Sequence, residues 1–199
     1  MTSAGDPPGR QPRFILASAS PRRIELLARI GITPDEILPA EIDETPLKAE
    51  RPADYARRIA ADKAKAISVP GALILAADTV VAAGRRILPK AETEAEARSA
   101  LELLSGRRHN VLSAITLIDA KGVARHRLST SIVAFKRLSE EEIQAYLDSR
   151  EWEGKAGGYA IQGRAEALIR SLSGSHSAVM GLPLYETRLL LRAAGYPLG

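Results

Sequence analysis

Short apolar runs alternate along this chain of 199 residues with segments that begin and end like helices. Residues 14–17 and 73–77 are apolar runs with the length of buried strands. Residues 111–118 and 128–135 are rich in β-branched residues and are separated by the turn-like segment DAKG. This alternation predicts an α/β fold with a mixed sheet, built as two lobes around a cleft.

Helix start and stop signals occupy the intervening segments. In SPRRIELLARIG, Ser20 can cap a helix, Pro21 suits its first position and Gly31 can end it. The other predicted elements are a hairpin turn at Gly84, capping-box helices at Thr93 with Glu96 and Ser139 with Glu142, helices over residues 52–67 and 183–191, and a strand over residues 167–172.

The composition narrows the class of protein. Without cysteine there is no disulfide, no thiolate nucleophile and no cysteine-bound metal, and the 3 His residues are too dispersed for a histidine metal cage. Aromatic residues make up 4% of the chain, which argues against a base-stacking surface, so no stable nucleic-acid partner is expected. The net charge of +4 suits a protein that handles anions.

The sequence predicts no membrane partner, because it lacks a run of about 18 apolar residues. The opening MTSAGDPPGRQP has no apolar stretch of the kind found in secretory signals. We therefore expect a cytoplasmic protein with a disordered tail over residues 1–12 and a single domain over residues 13–199.

The segment SASPRR, residues 18–23, is the first that carries chemistry. Arg22 and Arg23 in the first turn of a helix oppose the helix dipole unless an anion sits there. A strand, a turn that holds Ser18 and a helix N-terminus would together form a phosphate site. The alternative is a pair of solvated surface arginines.

Asp78 and Lys63 stand out by their positions. Asp78 follows the apolar run LILAA, and ligand crevices in open α/β sheets lie at the carboxyl ends of strands. A carboxylate there could bind a metal or polarise water, although an Asp that starts a turn is also common. Lys63 shares an i, i+4 apolar stripe with Tyr55 and Ile59. It therefore needs a carboxylate or phosphate partner, unless it reaches the surface along the edge of the stripe.

The glycine-rich segment GKAGGYAIQG also has the chemistry of a ligand-binding loop. Its glycines would let the backbone approach a ligand closely, while Lys155 supplies a cation and Gln162 an amide that can read a base edge. Many tight turns share this pattern. The chain has neither a Walker A motif nor a G-x-G-x-x-G fingerprint, which excludes P-loop and Rossmann proteins. A structural role is expected for His109 and His126, near strands, and for His176, in a loop.

Seven segments, in order along the chain, resemble the Maf family of the Maf/HAM1-like nucleotide pyrophosphatases: ILASASPRRIELLARIGI, EIDET, RPADYARRIAADKA, LAADTVV, LSGRRHNV, KAGGYAIQG and GLPLYET. The resemblance spans residues 14–187. It implies a two-lobed α/β fold around a deep central cleft. Members of the family are often dimeric, so the resemblance also implies that this chain could form a homodimer. It also implies hydrolysis of nucleoside triphosphates to the monophosphate and pyrophosphate with a divalent metal.

The resemblance also implies roles for the residues of this chain at positions that match the family's motifs. Arg22, Thr79 and Gln162 match the subgroup that acts on dTTP and UTP. Mg²⁺ or Mn²⁺ would be held by Asp78 and Glu44, and Asp78 would take the proton of the water that attacks the α-phosphorus. The expected catalytic residues are Asp78, Lys63 and Lys90, and the expected substrate-binding residues are Ser18, Arg22, Arg23, Thr79, Lys155 and Gln162. The chain departs from the family at Pro89-Lys90-Ala91, where Gly-Lys-Pro is usual.

Two other functions stay open at this point. The first is a pyrophosphatase for non-canonical purine triphosphates such as dITP, for which Thr79 and Gln162 would have to accept a larger base. The second is a nucleotide-sensing regulator of cell division, in which turnover is incidental.

Overall fold

The computed structural model describes residues 12–198. The tail predicted over residues 1–12 therefore lies outside the described residues, apart from Pro12. The elements are β1 (Phe14–Leu16), α1 (Pro21–Arg29), β2 (Glu36–Ile37), α2 (Pro52–Ala66), β3 (Leu73–Ala83), β4 (Arg86–Leu88), β5 (Lys90–Ala91), α3 (Glu94–Leu104), β6 (Arg108–Ile118), β7 (Ala124–Phe135), α4 (Glu140–Asp148), β8 (Lys155–Ala156), a 3₁₀ helix (Arg164–Leu168), β9 (Ile169–Ser173), α5 (His176–Met180) and α6 (Leu184–Ala193).

A mixed sheet of seven strands organises residues 12–198. Its order is β2-β1-β3-β6-β7-β9, and β4 also pairs with β3. Strand β1 runs parallel to β2 and β3, whereas the pairs β3–β4, β3–β6, β6–β7 and β7–β9 are antiparallel. Strands β5 and β8 form a separate antiparallel pair. The predicted α/β fold with a mixed sheet is confirmed, and the division into two lobes stays a prediction.

One edge of β3 is interrupted. On its other edge β3 pairs with β6 continuously from Ile74 to Ala82. On the interrupted edge it pairs with β1 over residues 73–75 and with β4 over residues 81–83. Within the described part of the chain no strand pairs with the intervening residues 76–80 on this edge. The sheet therefore has a gap, into which side chains from both of its faces can reach.

Apolar side chains cover both faces of the sheet, as the strand alternation requires. On one face, Ala56 and Ala60 of α2 pack against Val80 and Ala82 of β3. On the other face, the larger cluster combines strand residues such as Leu75 with α1, α3, α4 and α6. Burial of each large aliphatic side chain contributes about 1.5–3 kcal/mol, so this packing stabilises the sheet that positions the side chains at the gap. No helix within residues 12–198 is both long and apolar enough to cross a membrane.

Local signals predicted most helix ends correctly. Both predicted capping boxes are present, at the starts of α3 and α4. The predicted cap at Ser20 is wrong in its detail, because the Ser20 side chain makes no capping bond and the Ser18 hydroxyl accepts the Ser20 N–H instead. His176 begins α5 and does not lie in a loop, because Ser175 caps a short helix there. The strand predicted from residue 167 begins at Ile169, after the 3₁₀ helix.

Candidate active site

A cleft of about 520 Å³ lies beside the gap in β3. It brings together every residue that the sequence analysis assigned to the site: Ser18, Arg22, Arg23, Glu44, Lys63, Asp78, Thr79, Lys90, Lys155 and Gln162. These side chains come from separate parts of the fold, namely β1–α1, the loop before α2, α2 itself, β3, the β5–β8 pair and the turn that follows β8. The cleft therefore exists only in the folded chain.

The turn between β1 and α1 supplies the first wall of the cleft. Arg23 donates from Nη1 to Ser18 Oγ at 2.8 Å and from Nε to the Gly181 carbonyl oxygen at 2.9 Å. Arg22 donates from Nε to the Met180 carbonyl oxygen at 3.3 Å. The alternative of two solvated surface arginines is therefore wrong, because both guanidinium groups are anchored to the turn between α5 and α6.

The charges of these arginines are incompletely balanced by the protein. Burial lowers the pKa of Arg22. Burial also lowers the pKa of Arg23, an effect that the charge of Asp78 opposes and the charge of Arg22 reinforces. A bound anion would relieve this desolvation, and the start of α1 contributes further positive potential. The wall is thus suited to phosphate groups.

Lys63 faces this wall and joins two carboxylates. Its Nζ lies 2.9 Å from Asp78 Oδ1 and 3.0 Å from Glu44 Oε1. The Lys63 residue is only 8% exposed, so it does not reach the surface along the edge of its stripe. The predicted need for a partner is confirmed, and of the two kinds left open, carboxylate or phosphate, the structure shows carboxylates.

Asp78 does not occupy the strand end that its sequence position indicated. Strand β3 continues from Asp78 to Ala83, because these residues pair with β6 and then with β4. The aspartate instead lies in the gap of the interrupted edge and is 7% exposed. The expectation that a ligand crevice lies at the carboxyl end of a strand holds for β1, whose carboxyl end leads into Ser18. The gap in β3 gives Asp78 the same access to the cleft.

Glu44 lies in the long connection between β2 and α2, which α2 holds in place. The Tyr55 hydroxyl donates to the Glu44 carbonyl oxygen at 2.8 Å. Arg58 donates to the Thr45 carbonyl oxygen at 3.2 Å and pairs with Glu50. Tyr55 and Arg58 were not predicted as supporting residues, although Tyr55 stands in the same stripe as Lys63.

The ionisation of Glu44 is set by its neighbours. Partial burial raises its pKa, but the hydrogen bond and charge of Lys63, with the charges of Lys90 and Arg23, bring the pKa below its ordinary value. Glu44 is therefore an anion at neutral pH. Two carboxylates and a lysine thus form a compact charged cluster opposite the arginines.

The β5–β8 pair forms the remaining wall. Lys90 is the register partner of Ala156, and Ala91 is that of Lys155. The altered sequence around Lys90 therefore still brings this lysine to the cleft, and it does so on a strand. Burial, together with the charge of Arg22, lowers the pKa of Lys155, whose Nζ donates to the Glu153 carbonyl oxygen at 2.8 Å. Gln162 lines the cleft a few residues further on.

Two of the four glycines of GKAGGYAIQG, Gly157 and Gly158, serve packing and not the close approach to a ligand that the sequence indicated, whereas Gly154 does line the cleft. A Cβ on Gly157 would lie 2.7 Å from Val81 Cγ1, and one on Gly158 would lie 3.1 Å from the Ala97 Cα. Both have a φ of +68°. They therefore allow the turn to pack against β3 and α3, and it is the neighbouring residues that face the cleft.

Thr79 projects from the face of β3 opposite to Asp78. Its Oγ1 lies 2.9 Å from Ser113 Oγ and 3.4 Å from the Gly181 carbonyl oxygen. Ser113 was not predicted, because an isolated serine in a strand gives no signal of its own. Only the register of β3 and β6, which pairs Thr79 with Ser113, would have pointed to it.

The carboxylates suit a divalent cation that arrives with phosphate. Within residues 12–198, no group of three or more His, Asp or Glu side chains could hold a metal ion by itself. Mg²⁺ is commonly bound by one or two carboxylates together with substrate phosphates. Asp78 and Glu44, held side by side by Lys63, fit that donor set.

The fold and the cleft define an α/β protein whose cleft is suited to a polyphosphate anion. Comparison with known proteins agrees with this class. The chain belongs to the family described as Maf-like protein, whose model matches residues 13–194.

Close relatives cover nearly the whole chain. It is 59% identical over 197 residues to the dTTP/UTP pyrophosphatase of Novosphingobium aromaticivorans, with 98% of each chain covered. It is 61% identical over 187 residues to the dTTP/UTP pyrophosphatase of Zymomonas mobilis, with 93% of each chain covered. Among solved structures, a HAM1 protein from Coxiella burnetii has a TM-score of 0.50 at 18% identity, covering 91% of this chain and 98% of that chain. That likeness concerns the fold alone.

Proposed function

We propose that this protein hydrolyses dTTP and UTP to the monophosphate and pyrophosphate. The observation that carries the proposal is Lys63 joined to Asp78 and Glu44 opposite Arg22 and Arg23. The arrangement offers a water-activating carboxylate across a cleft from groups that bind phosphate. The names of the relatives support the same activity and the same bases.

The side chains divide the work of the reaction. Asp78 accepts the proton of the water that attacks the α-phosphorus, using the oxygen that Lys63 does not occupy. Arg22, Arg23 and Lys90 neutralise the negative charge that grows on the phosphates and on the leaving pyrophosphate. Because these donors are held before substrate arrives, little reorganisation is needed in the transition state.

Mg²⁺ or Mn²⁺ is part of the proposal. Asp78 and Glu44 would hold the ion, which when bound supplies positive charge to the triphosphate and lowers the pKa of a bound water. Lys63 keeps the two carboxylates together before binding and can then donate to a phosphate oxygen. Ser18 adds a hydroxyl to the wall that contains Arg22 and Arg23.

The base would be read on the side of the cleft away from the carboxylates. Thr79 and Gln162, with Arg22, stand at the positions that match the subgroup acting on dTTP and UTP. Lys155 precedes Gln162 by a few residues in the sequence and lines the same cleft. The two alternative functions, purine-triphosphate clean-up and nucleotide sensing, are not favoured by the relatives' names. A cytoplasmic location and a homodimer, both expected from the sequence, remain proposals.

A panel of triphosphates tests the proposed function. The purified chain is incubated with Mg²⁺ or Mn²⁺ and with each of UTP, dTTP, CTP, GTP, ATP and dITP, and pyrophosphate release is measured. We expect the largest kcat/KM for UTP and dTTP. A preference for dITP would support the first alternative, and tight binding of UTP without turnover would support the second. Either result overturns the proposal.

A further inference from the structure

A buried serine stands behind Thr79. Ser113 is 0% exposed and is the register partner of Thr79 across the β3–β6 ladder. The two hydroxyl oxygens are 2.9 Å apart. Ser113 Oγ also lies 2.5 Å from the Ala178 carbonyl oxygen in α5. The three groups form a short chain that runs from the core to the cleft.

The direction of the hydrogen bonds in this chain is fixed by the carbonyl. A carbonyl oxygen can only accept, so Ser113 must give its single hydroxyl hydrogen to Ala178. The Ser113 oxygen can then only accept, and Thr79 must donate to it. The Gly181 carbonyl, 3.4 Å from Thr79 Oγ1, is also only an acceptor and cannot reverse this order. Thr79 therefore has a lone pair, and no hydrogen, to offer to the cleft.

An obligatory acceptor restricts what can lie against Thr79. Phosphate oxygens are themselves acceptors and are excluded from this contact. Uracil and thymine carry a hydrogen on N3 and can donate it, whereas the N3 of cytosine carries a lone pair. Gln162 lines the same cleft, and its amide can donate to a base carbonyl.

We propose that Ser113 is a positioning residue that holds Thr79 as a hydrogen-bond acceptor, so that the cleft takes pyrimidines with an N3–H and rejects cytosine. This inference rests on the proposed function, because it names the base edge that the same site reads. Without Ser113, Thr79 keeps only its long 3.4 Å bond to the Gly181 carbonyl, and its hydroxyl can turn from that bond to donate to the N3 of cytosine.

The ratio of kcat/KM for UTP to kcat/KM for CTP tests the inference. The full chain is compared with Ser113→Ala, Thr79→Val and the double variant, with pyrophosphate release as the readout. We expect the ratio to fall by at least about tenfold in Ser113→Ala and in Thr79→Val, since a paired acceptor is replaced by a mismatch or by nothing. In the double variant the ratio should fall no further than in Thr79→Val, because Ser113 acts only through Thr79.

Ser131→Ala is the matched control. Ser131 is equally buried, lies on the neighbouring strand β7 and holds the start of α5 by accepting from the Ser175 N–H at 3.0 Å. It makes no contact with Thr79, so its removal should leave the ratio at the wild-type value. If Ser113→Ala does not fold, Ser113→Cys nearly conserves the volume, and its weak S–H donor should lower the ratio by less.

Each outcome decides between the two proposals. An unchanged ratio in Ser113→Ala with a lowered ratio in Thr79→Val overturns the role of Ser113. Equal loss of UTP and CTP turnover in both variants means that Thr79 does not read N3, and it overturns the inference while the pyrophosphatase activity stands. If the wild-type chain releases no pyrophosphate from UTP, the proposed function itself is overturned, and the inference with it.

Discussion

At the scale of single residues, Lys63 keeps Asp78 and Glu44 close together without mutual repulsion. Its buried amine lies within 3.0 Å of both carboxylates. Helical spacing was enough to predict that Lys63 needs a partner, since it shares a stripe with apolar residues. The identity of the partners could not be predicted from that spacing, because one comes from a loop and the other from a strand.

Asp78→Asn tests the assignment of the base. The change keeps the size of the side chain and its hydrogen bond with Lys63, but it removes the proton acceptor. We expect kcat for UTP to fall by about 10²–10⁴-fold with little change in melting temperature. Asp54→Asn, at an exposed position on α2, is the control and should keep wild-type turnover. If Asp78→Asn retains more than about a tenth of wild-type turnover, far above the range for lost base catalysis, then Asp78 is not the base.

Lys63→Met tests the charged cluster as a structural unit. Removing the lysine leaves two unpaired carboxylates facing each other, one of them buried. We expect the free energy of unfolding, measured in urea, to fall by about 3 kcal/mol, the lower end of the range for breaking a buried ion pair. Lys65→Met, at an exposed position on the same helix, should change it by less than about 0.5 kcal/mol. Equal effects of the two substitutions would contradict this account.

At the scale of elements, the tight turn between β8 and Gln162 depends on its packing against β3. Gly157→Ala would combine a positive φ with a Cβ 2.7 Å from Val81. Gly71→Ala has the same strain of backbone, with a φ of +76°, but open space around the new Cβ. We expect Gly157→Ala to be the more destabilising by about 1–3 kcal/mol in urea unfolding and to raise KM for UTP. Similar losses in both variants would mean that packing contributes nothing.

A buried histidine connects β6 to the same turn. His109 Nε2 lies 2.8 Å from the Tyr159 hydroxyl, and burial lowers the pKa of His109 to about 4. In the unfolded chain this pKa is about 6.5, so stability from neutral His109 is complete above pH 6.5 and is lost as the pH falls towards 4. We expect a loss of about 3 kcal/mol from this group over that window.

Urea unfolding at pH 7.5 and pH 4 measures this loss. The drop in unfolding free energy should be smaller by about that amount in His109→Gln, where no imidazole has to stay neutral. His126→Gln, at an exposed position on β7, is the control and should retain the wild-type drop. An identical drop in all three proteins would show that His109 does not contribute.

At the scale of the whole molecule, the cleft joins β1–α1, β3 with α2, and β5–β8, which are distant in sequence. A ligand that contacts all three should stabilise the entire fold. With a UTP analogue that carries carbon in the α,β-bridge, at a hundred times its Kd, we expect about 2.7 kcal/mol of added stability and a rise in Tm of about 5–10 °C. The Arg22→Ala, Arg23→Ala double variant at the same ligand concentration should show a much smaller rise. Absence of a rise in the wild-type chain would contradict the cleft as the nucleotide site.

Features with local causes were predicted well, and features that depend on distant pairing were not. The capping boxes at Thr93 and Ser139 are set by residues three apart, and both are confirmed. The extension of β3 beyond Asp78 depends on β6, which lies about thirty residues later in the chain, and it was missed. The expected site residues do line one cleft, and this prediction came from the resemblance of the ordered motifs to a family and not from local signals. The role of Ser113 requires the strand register and could not be read from the sequence.

The interruption in β3 has a consequence for how the protein behaves among its own copies. Unpaired backbone groups along a strand edge are a template for pairing with a strand of another molecule, and hence for aggregation. In the folded chain this edge is covered, because Ala76, Ala77, Asp78 and Val80 are all at most 7% exposed. Local unfolding of a cleft wall would uncover the edge and allow a strand of a second molecule to join it. The walls that form the cleft therefore also protect the sheet from association with other copies.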